Sequence, residues 1–164
     1  MPASVIGKSL NIGYPGNVSR NDPRTFVMNR PVKTAAIPFG LPVKLNADNT
    51  YDLFAYDSAA AVFAGIALRN VKQQSVFATN TTGQYEVNEG CDVMQQGFMT
   101  VLVNATASLT AGGAVWAVFS AAHVFKYFDI VEPAATDTGV LITNAKWFTG
   151  VKDGNNVAEL QIGI

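Results

Sequence analysis

The sequence predicts an all-β protein, a sandwich or barrel preceded by an extended N-terminal arm. From Pro31 onward, short apolar runs alternate with clusters of turn residues, and no convincing amphipathic helix interrupts them. Of the 164 residues, 49% are apolar and only 14% are charged, which excludes an intrinsically disordered chain. That length suffices for one hydrophobic core. We therefore predict an arm over residues 1–30 and a single β domain over residues 31–164.

The first 33 residues form a basic leader without a sustained helical or strand pattern. They carry five basic residues and one acidic residue, whereas the other 131 residues carry six basic and eleven acidic residues. Proline, glycine and asparagine recur throughout the leader. Fully extended, such a segment spans about 100 Å, which is enough to reach another subunit. Because its basic residues are mixed with apolar ones, we expect the arm to contact protein and not nucleic acid. A disordered terminus is the alternative.

The strands of the predicted β domain are short, and turn residues separate them at 46–49, 80–83, 111–113, 137–139 and 152–156. A helical turn is a weak possibility in the alanine-rich stretch Ser58 to Ala61. The predicted strands are Thr34 to Phe39, Val43 to Leu45, Tyr51 to Phe54, Val62 to Arg69, Ser75 to Ala78, Phe98 to Asn104, Ala114 to Phe119, Val124 to Ile130, Val140 to Thr143, Ala145 to Phe148 and Val157 to Ile162.

Two of these strands are apolar on both faces. Because strand side chains alternate, Phe98 to Val103 places Met99, Val101 and Val103 on one face and other apolar groups on the opposite face. The strand that contains Trp116 has the same character. Antiparallel sandwiches usually keep one face polar, so an arm, a long loop or another subunit must cover these strands. We predict that Met99, Val101, Val103 and Trp116 lie at an oligomer interface.

The residues that carry chemistry are too few for most catalytic or metal sites. One cysteine, Cys91, and one histidine, His123, exclude an internal disulfide and a cysteine–histidine zinc site. No nucleophile elbow, phosphate loop or dinucleotide fingerprint is present. We therefore predict no enzyme activity, cofactor or metal. A loose group of carboxylates is the weak alternative: Asp52, Asp57, Glu86, Glu89 and Asp92.

The apolar runs are too short to span a membrane as a helix. Residues 1–14 lack the basic start and apolar run of a secretory signal, so we expect neither secretion nor membrane binding.

Several stretches, in this order and spacing, are similar to one known family. They are Gly65-Ile66-Ala67-Leu68-Arg69, the run from Tyr85 through Glu89-Gly90-Cys91-Asp92 to Val101, and Ala145-Lys146-Trp147-Phe148-Thr149 leading to Glu159-Leu160. Over about residues 5–164 the chain resembles the structural cement proteins of tailed-bacteriophage heads.

The resemblance implies a jelly-roll-like or barrel body that binds the outer surface of the capsid lattice and reinforces the head against internal DNA pressure. Its implied partners are the phage major capsid protein and other copies of itself, as a homodimer or homotrimer. Its implied location is the virion, after synthesis in the host cytoplasm. The candidate capsid-binding residues of the arm are Tyr14, Arg20, Arg24, Phe26 and Arg30. A ligand- or carbohydrate-binding β-sandwich module of another virion structure is the alternative.

Overall fold

The computed structural model describes residues 12–56, 62–70, 83–133 and 136–163. Within these residues the protein is built from β-strands and contains no α-helix, which confirms the predicted all-β class. The strands are β1 (Phe26–Pro31), β2 (Ile37–Pro38), β3 (Pro42–Leu45), β4 (Tyr51–Leu53), β5 (Phe63–Ala67), β6 (Gln84–Tyr85), β7 (Gly90–Leu102), β8 (Trp116–Phe119), β9 (Phe125–Asp129), β10 (Thr138–Leu141), β11 (Ala145–Lys152) and β12 (Val157–Ile162).

Most predicted strands are present, and their ends differ by a few residues. The first one shrinks from Thr34–Phe39 to the two residues of β2, whereas β7 extends the predicted Phe98 strand back to Gly90. Strands β1 and β6 were not predicted. The predicted strand Ser75 to Ala78 and the helical turn Ser58 to Ala61 lie outside the described residues.

The main body is a β-sandwich of two antiparallel sheets. The larger sheet has the order β11-β12-β7-β5-β3-β4, with β1 also paired to β7, and the smaller sheet has the order β10-β8-β9. Apolar side chains from both sheets form the core between them, including Met99 and Leu160 from the larger sheet and Phe119 and Phe128 from the smaller one. Trp147, 1% exposed, lies in the same cluster. This packing confirms the sandwich prediction.

The 13-residue strand β7 changes face in its middle. Cys91 and Val93 belong to a second cluster, on the other side of the larger sheet, while Met94 and Met99 both belong to the sandwich core. In a regular strand, residues five apart point to opposite faces. The register with β1 slips at Gln95, and this bulge restores Met99 to the core face.

The second cluster lies inside a curled part of the larger sheet. Strands β1, β7, β5, β3 and β4 follow one another around it, and a parallel bridge between Val32 and Tyr51 joins the end of β1 to β4. The short pair β2–β6 adds Ile37 and Tyr85 to this cluster. One end of the protein is therefore barrel-like, although the sequence left sandwich and barrel as alternatives.

The structure does not confirm the predicted extended arm for the part of the leader that it describes. Residues 26–31 form β1, which pairs along β7 from Gln96 to Gly90. Upstream, Val18 makes an antiparallel bridge to Met99. The leader forms ordered structure because the apolar outer face of β7 in the same chain offers it hydrogen bonds and burial.

The predicted interface at Met99, Val101 and Val103 is contradicted by their burial in the single chain. Their exposed fractions are 0%, 0% and 2%, because all three lie in the sandwich core. No sister subunit is needed to cover them. Trp116 is half-buried on the smaller sheet, and for this residue the interface stays a prediction.

Candidate functional site

The most distinctive surface of the protein is made by the leader where it crosses the larger sheet. The Gly16 N–H donates to the carbonyl of Thr100 at 2.7 Å, the Thr100 N–H donates to Asn17 at 2.9 Å, and the Ser19 N–H donates to Phe98 at 3.0 Å. These bonds occupy the edge of β7 that β12 leaves free. We call residues 12–25, which run along and over this part of β7, the strap.

The strap changes sides of β7 along its length. The carbonyl of Gly16 accepts a hydrogen bond from Arg69, just beyond β5, so this part of the strap lies on the β5 side. Residue Arg20 then reaches Glu159 of β12, and β1 continues on that side. The strap thus crosses the outer face of the sheet near Phe98 and covers that part of it.

Arg20 forms a salt bridge that holds the strap against the body of the protein. Its Nε donates to Glu159 Oε1 at 2.7 Å and its Nη2 donates to Oε2 at 3.1 Å, a two-pronged contact that suits the guanidinium geometry. The Glu159 side chain is 6% exposed, and the guanidinium carbon lies 4.5 Å from the centre of the Phe148 ring. The hydrogen bond to Glu159 raises the pKa of Arg20. The predicted capsid-binding arginine is therefore engaged with its own chain.

At the start of the strap, the backbone of Gly16 packs closely against the backbone of Gly40 and Ala67. A Cβ atom on Gly16 would lie 2.8 Å from the backbone nitrogen of Gly40 and 3.1 Å from the carbonyl oxygen of Ala67. Only glycine fits there, and its φ of +90° also favours glycine. The Ile12 N–H donates to the buried carboxylate of Asp153 at 3.0 Å, which fixes the strap near its first described residue.

The surface formed by the strap and the larger sheet carries apolar side chains that are exposed to solvent. Tyr14 of the strap is 60% exposed, Leu102 of β7 is 40% exposed and Phe148 of β11 is 37% exposed. Val18, 49% exposed, is paired with Met99 and therefore points to the other side of the sheet. Tyr14 also lies against Arg69, whose guanidinium carbon is 4.8 Å from the ring centre. We call Tyr14, Leu102 and Phe148, together with Arg20, the strap face.

The remaining predicted arm residues lie elsewhere. Arg24 pairs with Asp22 within the same turn, at 3.0 Å, which lowers the pKa of Asp22. Arg30 of β1 bonds to the side chain of Asn49 and lies near Tyr51, in the wall of the barrel-like end. Phe26 is about half exposed at the start of β1. The structure therefore brings Tyr14 and Arg20 together on one face and does not add the other three to it.

Sequence reasoning missed Val18, Leu102 and Phe148 as surface residues. The alternation in β7 places Leu102 on the face opposite to Met99, so its direction was readable. The exposure of Leu102 could not be predicted from the sequence, because it depends on how far the strap covers the strand. Phe148 packs edge-on against Phe98, with ring centres 4.7 Å apart, and is only partly covered.

Among the groups that were weighed for catalysis, Asp57 lies outside the described residues, and the following ones are engaged in structural contacts. Cys91 is buried, and the His123 ring lies 5.2 Å from that of Tyr56. Asp92 accepts hydrogen bonds from two asparagine side chains, and Glu89 accepts one from the backbone of Glu86. Among the described residues no group of three or more histidine, cysteine, aspartate or glutamate side chains is arranged to hold a metal. In the same residues no helix is long and apolar enough to cross a membrane.

Burial and pairing shift the pKa of few groups, and none of these lies in a reactive arrangement. Burial raises the pKa values of Tyr51 and Tyr85 in the barrel-like end. Hydrogen bonds from Lys33 and Thr50 lower the pKa of Asp48 to about 2. These are the effects of packing and of surface ion pairs.

Known proteins match both the sequence and the fold. The family profile of the XM1 gp53 minor capsid protein matches residues 3–162. A chain in the solved capsid of the Myoviridae phage XM1 is 19% identical and aligns with a TM-score of 0.70, over 96% of this chain and 94% of that one. No curated protein matches. These findings confirm the resemblance to a tailed-phage capsid family: the chain belongs to the XM1 gp53 minor capsid protein family and is a structural protein of a phage capsid.

Proposed function

We propose that this protein is a non-enzymatic cement protein, which binds the outer surface of the phage capsid lattice through the strap face and holds neighbouring capsid subunits together. The observation that carries the proposal is the group of exposed apolar residues on that face: Tyr14, Leu102 and Phe148. Clustered exposed apolar side chains are typical of protein contact sites.

The chemistry of the strap face favours an apolar partner surface. The charge of Arg20 is already balanced by Glu159, so little ionic attraction remains for an acidic partner. Binding at this face would remove apolar area from water, which is the main favourable contribution in protein association. In this respect the proposal differs from the sequence-based one, in which arginines of the arm made the capsid contacts.

Such binding stabilises the shell by mass action. A protein that binds the intact lattice and not the separated subunits shifts the equilibrium toward the intact lattice. Many copies on one particle multiply this effect without any catalytic chemistry. An interface of standard size, about 1,200–2,000 Å² in total, is enough for specific binding.

The test is reconstitution on particles that lack the protein. Wild type, Tyr14→Asp and Leu102→Asp are added to such particles, and bound copies are counted by cryo-electron microscopy and by sedimentation. Both substitutions place a charge on an exposed position, so the fold is retained while the apolar contact is lost. Val131→Asp is the matched control, because Val131 is 60% exposed, as Tyr14 is, but lies beyond β9, beside the smaller sheet.

We expect the wild type and Val131→Asp to occupy the outer shell and to raise the temperature at which the particles release DNA. Tyr14→Asp and Leu102→Asp should bind with at least tenfold lower affinity, since each loses about 1.4 kcal/mol or more of binding energy. Failure of the wild type to bind the outer shell would refute the cement function. Equal binding of all four proteins would refute the role of the strap face.

A further inference from the structure

Arg69 lies next to the strap face, just beyond the end of β5, and it is exposed. Its guanidinium carbon is 4.8 Å from the centre of the Tyr14 ring and 5.8 Å from the centre of the Phe39 ring. Its backbone N–H donates to the carbonyl of Gly16 at 2.8 Å, which joins this residue to the strap. Two aromatic rings and one backbone bond therefore hold a cationic group at a defined place on the surface.

The two rings are themselves held in place. The carbonyl of Tyr14 accepts hydrogen bonds from the Thr100 hydroxyl at 2.6 Å and from the Asn17 N–H at 3.2 Å. Phe39 is 9% exposed and packs edge-on against Tyr85, with ring centres 5.2 Å apart. A charged group that is already positioned loses little conformational freedom when it binds a partner.

The charge of this guanidinium is unpaired. Among the described residues, Arg69 makes no ion pair and its side chain makes no hydrogen bond. Asp92, whose carbonyl accepts the N–H of Leu68, bonds instead to the side chains of Asn29 and Asn70. A guanidinium has five N–H donors in a planar fork that matches a carboxylate or a phosphate. These donors are available to an anion on a partner.

The surrounding charges favour a single carboxylate over a nucleic acid. A nucleic acid is a polyanion, and proteins bind it with several unpaired cations along its backbone. Arg20 and Arg24 of the strap are already paired with Glu159 and Asp22, at 2.7 Å and 3.0 Å. Arg69 is therefore one unpaired cation beside exposed apolar side chains, and its complement is one acidic side chain in an otherwise apolar partner surface.

We propose that Arg69 binds the carboxylate of an aspartate or glutamate of the capsid protein and so fixes the orientation of this protein on the lattice. The inference rests on the proposed function, because it adds one ionic contact at the margin of the strap face. The apolar residues of that face supply burial without a strict position. The pair between Arg69 and a carboxylate requires one acidic residue at one place, which gives the contact specificity.

Particle reconstitution at two salt concentrations tests the contact. Wild type, Arg69→Gln and Lys44→Gln are bound to particles that lack the protein at about 0.1 M and about 1 M salt, where charges act over about 10 Å and about 3 Å. Lys44→Gln is the matched control, because it also removes one positive charge but lies on β3 in the barrel-like end. Arg69 is exposed, so its substitution leaves the fold intact, which circular dichroism verifies.

We expect Arg69→Gln to bind about tenfold more weakly than the wild type at the lower salt concentration, because a charged pair is lost. Raising the salt concentration should weaken the wild type much more than Arg69→Gln, since the variant has no charge at this position to screen. Lys44→Gln should behave as the wild type does at both salt concentrations.

Carbodiimide coupling on the particles identifies the carboxylate. The reagent activates a carboxylate, the amine of Arg69→Lys attacks it, an amide forms, and the carboxylate oxygen leaves in the urea product of the reagent. The wild type is the control, because a guanidinium does not couple in this way. We expect mass spectrometry to find position 69 of Arg69→Lys joined to an aspartate or glutamate of the capsid protein. Coupling only within this chain, or only to a second copy of it, would overturn the proposal.

Failure of this inference is distinguishable from failure of the proposed function. Equal binding of Arg69→Gln and the wild type at the lower salt concentration, or an equal loss in Lys44→Gln, overturns the carboxylate contact and leaves the cement function standing. A wild type that does not bind the outer shell at either salt concentration refutes the cement function and, with it, this contact.

Discussion

Thr100 of β7 forms hydrogen bonds to the strap through both its side chain and its backbone. Its hydroxyl, fully buried, donates to the carbonyl of Tyr14 at 2.6 Å. Its backbone also bonds to Gly16 and Asn17. Substitution of Thr100 by valine keeps the shape and the strand preference of the side chain but removes the hydroxyl donor. The change therefore isolates one contact of the strap.

The expected destabilisation follows from the acceptor that is left behind. Removing one partner of a buried hydrogen bond costs about 1–3 kcal/mol. The site is partly buried, and Tyr14 itself is exposed, so its carbonyl can gain water and we expect about 1 kcal/mol, near the lower end of that range. In a domain of this size, a loss of about 1 kcal/mol lowers the melting temperature by about 2–4 °C.

The assay combines calorimetry with amide hydrogen exchange of the purified protein. In Thr100→Val, the amides of Gly16 and Ser19 should exchange faster than in the wild type, because they are bonded to the same stretch of β7. Thr138→Val is the control, since Thr138 is a half-buried threonine of β10, away from the strap. Unchanged melting and unchanged exchange at Gly16 and Ser19 in Thr100→Val would refute this account of the strap.

Three further substitutions test the core, a surface ion pair and the strap seat. Trp147→Ala should destabilise the protein by about 3–5 kcal/mol in urea titrations, because it empties a large site in the sandwich core; a loss below 1 kcal/mol would contradict that packing. In carboxyl NMR titrations Asp48 should have a pKa of about 2, so the stability it contributes is present above its ordinary value of 3.8 and is lost as the pH falls toward 2. Asp48→Asn should flatten this acid dependence, and an ordinary midpoint would refute the pair with Lys33. Gly16→Ala should detach the strap and increase its proteolysis, whereas Gly154→Ala, which meets open space, should not.

The class of fold was predictable because strand signals are local. Turn residues bound the strands β3, β4 and β12, and the apolar residues between them have strand preferences. Strand β1 was missed because its sequence, Phe-Val-Met-Asn-Arg-Pro, follows a segment rich in helix and strand breakers and has little alternation. Its partner β7 stabilises it, and no local pattern reports that pairing.

The surface was less predictable than the fold. Sequence reasoning identified a strand that is apolar on both faces and concluded that something must cover it. That conclusion is correct for Phe98 and Thr100, which are buried on the outer face. Of the covers considered, which were an arm, a long loop or another subunit, the structure shows the first: the strap of the same chain supplies the cover and bonds to Thr100. A bulge at Gln95 then decides which residues of β7 face the core, and a slip of one residue is hard to read from composition.

The sequence by itself determined that this is a β protein without the residues for a common catalytic or metal site, and it carries the likeness to a phage capsid family. These properties depend on residue types and their order along the chain. Only the tertiary structure decided that the basic leader is a strap, with Arg20 fastened to Glu159, 139 positions away. The physical reason is that covering a hydrophobic face and pairing a buried charge depend on which distant segments meet, and sequence distance does not record that.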